Sequence, residues 1–99
     1  SLQRTALLPD VPTIAESGLP GFQLEVWFGL LGPARMPADL VKRINEDLNS
    51  VLAMPDVKDR LDKLGAAAMP MQQEAFEKYL DSETASAAQL VKAAGIKIE

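Results

Sequence analysis

The chain has 99 residues, enough for one small domain, with 47% hydrophobic and 24% charged residues, the mix of a globular protein. Ten Lys and Arg against fourteen Asp and Glu give a net charge of -4, and with 5% aromatics there is no basic stripe or stacking platform for nucleic acid. Cysteine and histidine are absent, which excludes disulfides, Ser-His-Asp and Cys-His nucleophiles and the usual zinc sites.

The first twelve residues are punctuated by Pro9 and Pro12, which fix φ and remove donors, so a structured loop is expected. No initiating methionine precedes Ser1-Leu2-Gln3-Arg4, so the chain reads as a piece of a larger protein. Thr13 and Glu16 have capping-box spacing over about one turn, which Gly18 closes. From Phe22 to Leu31 the pattern has period two and predicts a strand. Phe22, Leu24, Val26, Phe28 and Leu30 form one face; Gln23, Glu25, Trp27, Gly29 and Leu31 form the other. Gly32-Pro33 ends it.

Pro37 to Ala53 is the clearest helix, with an apolar stripe of Leu40, Val41, Ile44, Leu48, Val51 and Leu52. A shorter helix is predicted from Pro55 to Leu64, stopped by Gly65, and a short strand over Ala66 to Met69. The last helix is predicted from Gln72 to Ala94, with Phe76, Leu80, Ala87 and Val91 at helical spacing, and a terminal strand over residues 96–99. The expected N-caps are Met36, Met54 and Met71, which cannot accept the first amides as Ser or Thr would.

No nucleophile elbow, phosphate loop or catalytic carboxylate pair stands out, and Asp59 with Asp62 or Glu46 with Asp47 reads as solvated helix surface. Trp27 and Phe28 occupy opposite faces of one strand, so one belongs to packing and the other to a cleft or another lobe. Gly29 beside them leaves space for backbone or ligand. In the amino-terminal loop Arg4 has the chemistry to meet a carboxylate, and Thr13 either helps hold an anion at a helix start or caps its own turn.

The ordered set of Leu8-Pro9-Asp10-Val11-Pro12-Thr13-Ile14-Ala15-Glu16-Ser17-Gly18, Trp27-Phe28-Gly29-Leu30-Leu31-Gly32-Pro33 with Pro37, Met54-Pro55-Asp56-Val57-Lys58-Asp59-Arg60-Leu61, Leu64-Gly65, and Phe76, Glu83 and Lys92-Ala93-Ala94-Gly95-Ile96 resembles one family. It is similar to the carboxy-terminal third of the Bug family, the substrate-binding proteins of tripartite tricarboxylate transporters. The resemblance implies an α/β fold, a fragment of a two-lobed type II periplasmic binding protein with a crossing strand, three main helices and short terminal strands. Residues 1–22 would end the second lobe, 23–33 would be the hinge-crossing strand, and 34–99 would pack on the first lobe. Capture of a small di- or tricarboxylate or related organic acid in the periplasm is implied, for delivery to membrane transporter subunits, with no catalysis, cofactor or metal.

Ligand-cleft or hinge candidates are Arg4, Asp10, Thr13, Trp27, Phe28 and Gly29. The chain departs from the family at Met36, Met54 and Met71, where Ser or Thr is common, and at Ala87, where Trp is. An isolated chain with an unpaired strand is open to dimerisation or strand exchange. The alternatives are an independent helical interaction module and a non-catalytic fragment of an enzyme.

Overall fold

In the computed structural model, which describes residues 1–97, the regular elements are three helices: α1 (Ala38–Leu52), α2 (Pro55–Lys63) and α3 (Gln73–Ala93). Each lies within one residue of the bounds its punctuation predicts. Pro37 with φ -55 and ψ 134 starts α1, and Pro55 takes the first position of α2. The residues at the three caps are Pro37, Met54 and Gln72, so Met36 and Met71 stand one position too early. None of the three donates or accepts a side-chain capping bond, and Asp39, Asp56 and Glu74 supply negative charge to the first turns instead.

The ends of α2 and α3 are alike. Gly65 and Gly95 adopt φ of 70° and 65° just after the caps. Ala66 N–H donates to the Leu61 carbonyl at 2.9 Å and Ile96 N–H to the Val91 carbonyl at 3.1 Å. These are the six-to-one bonds of a Schellman ending, which needs a residue tolerant of the left-handed region.

α1 packs on both α2 and α3. A polar clamp fixes the second contact. Asn45 and Asn49, one turn apart, both donate Nδ2–H to the Met71 carbonyl, at 2.8 and 3.0 Å. Their common acceptor lies in the loop that leads into α3.

The α/β expectation is overturned: among the described residues there is no strand and no sheet. Residues 22–33 run without helix, turn or bend, yet pair with nothing. The hinge-crossing strand expected at 23–33 is therefore a single unpaired segment. The short strand expected at Ala66–Met69 is also irregular. Of the terminal strand, Ile96 and Lys97 are irregular and residues 98–99 lie outside the described residues. The physical reason is that a strand is defined by its neighbour. Period-two patterning prepares the surface but does not supply the pairing.

The same deficit appears in the packing. No hydrophobic side chain among the described residues is buried. Leu40 and Val51 of the α1 stripe are both 45% exposed. The radius of gyration is 16.7 Å, against about 13 Å for a compact chain of this length.

Candidate functional site

The candidate residues fall into two groups. The first is the amino-terminal loop. Thr13 N–H donates to Glu16 Oε2 at 2.7 Å, and Glu16 N–H donates to Thr13 Oγ1 at 3.1 Å, the reciprocal capping box. Thr13, 9% exposed, is the most enclosed of the described residues. Arg4 closes the loop from outside. Its Nε–H donates to both Glu16 carboxylate oxygens, at 3.1 and 2.9 Å, and Nη1 donates to the Pro9 carbonyl at 3.1 Å.

This geometry sets the electrostatics. The Arg4 guanidinium, then the Thr13 amide, hold the Glu16 carboxyl down at about 2, and the same pairing raises Arg4. Arg4 and Thr13 therefore come together through Glu16, and each already has a partner. Asp10 is exposed at the turn beside them.

The second group surrounds Trp27. Its ring stands edge-on to Phe76 (centroids 6.1 Å apart, planes at 81°) and to Tyr79 (5.6 Å, 76°), both on α3. A Cβ at Gly29 would come within 2.9 Å of the Phe76 ring and 3.0 Å of the Trp27 ring. The absence of a side chain at Gly29 is thus what lets this segment lie against α3. Phe28 points away from α3 and is 93% exposed. Partial burial, with the charges of Glu83 and Glu25, raises the Tyr79 phenol above its ordinary value. A hydrogen bond from the Ser1 side chain holds Glu25 below the usual carboxylate range.

Next to the second group lies an open cleft of about 520 Å³ between residues 30–36, α1 and α3. Val41, Ile44, Leu48, Phe76 and Leu80 line it, with Arg35 and Asn45 among its polar groups. Sequence reasoning missed Arg35, whose φ is 64°, in the loop between Pro33 and Pro37. It also missed the paired asparagines, for which the spacing of four on one helix was an available signal. Among the described residues no three acidic side chains converge as a metal site requires, and no helix is long and apolar enough to cross a membrane.

The model of the tripartite tricarboxylate transporter family receptor matches residues 1–96. The chain belongs to this receptor family. Receptors of the family are solute-binding proteins, not enzymes, and they work in the periplasm. A UPF0065 protein from the tcbD-tcbE intergenic region of Pseudomonas sp. (strain P51) is 41% identical over 85% of this chain and 25% of its own length. A UPF0065 protein from the clcB-clcD intergenic region of Pseudomonas knackmussii is 35% identical over 92% of this chain and 54% of its own length. Protein BugT of Bordetella pertussis is 25% identical over 100% of this chain and 30% of its own length. The chain thus spans between 25% and 54% of the curated relatives named here. No solved structure matches.

Proposed function

We propose that this chain is the carboxy-terminal part of a periplasmic receptor that captures a small organic acid, a di- or tricarboxylate or related carboxylate, for delivery to the membrane subunits of a tripartite transporter. The observation that carries the reading is the family match across residues 1–96. In it, residues 1–22 belong with one half of the receptor, 23–33 connect the halves, and 34–99 pack on the other half. The self-contained hydrogen bonding of Arg4, Pro9, Thr13 and Glu16 supports the first assignment. The packing of Trp27 on α3 supports the last two.

The role of the chain in binding is support. A site that encloses a small acid needs walls on all sides, and the cleft beside α3 is open and mostly apolar. Arg4, the cation nearest to Thr13 in this network, is already engaged by Glu16. Enclosure is therefore completed by the remainder of the receptor.

Titration calorimetry tests this with citrate and succinate against the complete receptor and against these 99 residues alone. The complete receptor binds one of these or a related acid, and the isolated chain binds none. Equal affinity of the two would refute the split enclosure, and a complete receptor indifferent to every small carboxylate would refute the ligand class.

A further inference from the structure

We draw no further inference here: the strongest candidate, the open and mostly apolar cleft between residues 30–36, α1 and α3 with Arg35 among its polar groups, is an unpartnered face, and nothing in the structure shows what covers it.

Discussion

Gly29→Ala tests the packing that anchors the unpaired segment. The new methyl carbon would stand 2.9 Å from the Phe76 ring and 3.0 Å from the Trp27 ring, well inside the roughly 3.5 Å at which carbon atoms attract. One of the rings must move. Each edge-on contact made by Trp27 is worth about 0.5–1.5 kcal/mol, and forced displacement in packed surroundings costs about 1–3 kcal/mol. Against that, replacing glycine stiffens the unfolded chain and contributes about 0.4–1 kcal/mol of stability. The φ of Gly29 does not fall among the positive values, so no backbone strain enters. The net expectation is destabilisation by about 1 kcal/mol, or about 4–8 °C in Tm for a chain this small. Trp27 is the sole tryptophan, so its emission reports the site directly. In thermal unfolding followed by fluorescence and helical circular dichroism, Gly29→Ala lowers Tm and shifts the emission red. In a Phe76→Leu background, where the ring that would collide is gone, the same substitution becomes neutral or stabilising. A Gly29→Ala chain as stable as the parent, with unchanged emission, would refute the reasoning.

Three further outcomes follow from the geometry. Asn45→Ala and Asn49→Ala each leave the other amide on the Met71 carbonyl, so each costs about 0.5–1.5 kcal/mol. The double variant leaves that carbonyl unpaired and costs more than their sum, which a double-mutant cycle by urea unfolding measures. The Glu16 carboxyl is lowered to about 2, below its ordinary value of about 4.3. The loop stability it contributes is thus complete above that ordinary value and is lost as pH falls toward about 2. Carboxyl NMR titration shows the low midpoint, and Arg4→Gln moves it up; an unmoved midpoint would remove Arg4 as the main cause. Arg35 holds a φ of 64° without a glycine's freedom, so Arg35→Gly raises stability by about 1 kcal/mol in thermal unfolding.

What the sequence revealed and what it hid divide along sequence separation. The three helices were legible to within a residue because Pro37, Pro55, Gly65 and Gly95 act on their immediate neighbours. The Thr13–Glu16 box was legible for the same reason, three residues apart. The Arg4–Glu16 pair spans twelve residues. The reach of Trp27 to Phe76 and Tyr79 spans about fifty, and the asparagine clamp more than twenty. No local periodicity encodes such partners. The strand failed on the same ground: the alternation from Phe22 to Leu30 is in the sequence, but of residues 22–31 Trp27 alone is not exposed, and a neighbour for the segment is not among the described residues.

The amino-terminal loop shows how a set of residues with anion-binding chemistry can be closed to an anion. An arginine, a threonine and two backbone amides converge there, which in isolation suits a carboxylate ligand. Glu16 is itself that carboxylate. It is tied to Thr13 three residues away and reaches Arg4 through both oxygens. A free acid would have to displace a group held in the same chain at high effective concentration. It would also leave the Glu16 charge without its cation, which the depressed titration near 2 identifies as its chief partner. The physical role that remains for Arg4 is to fix the course of the loop from Pro9 to Gly18.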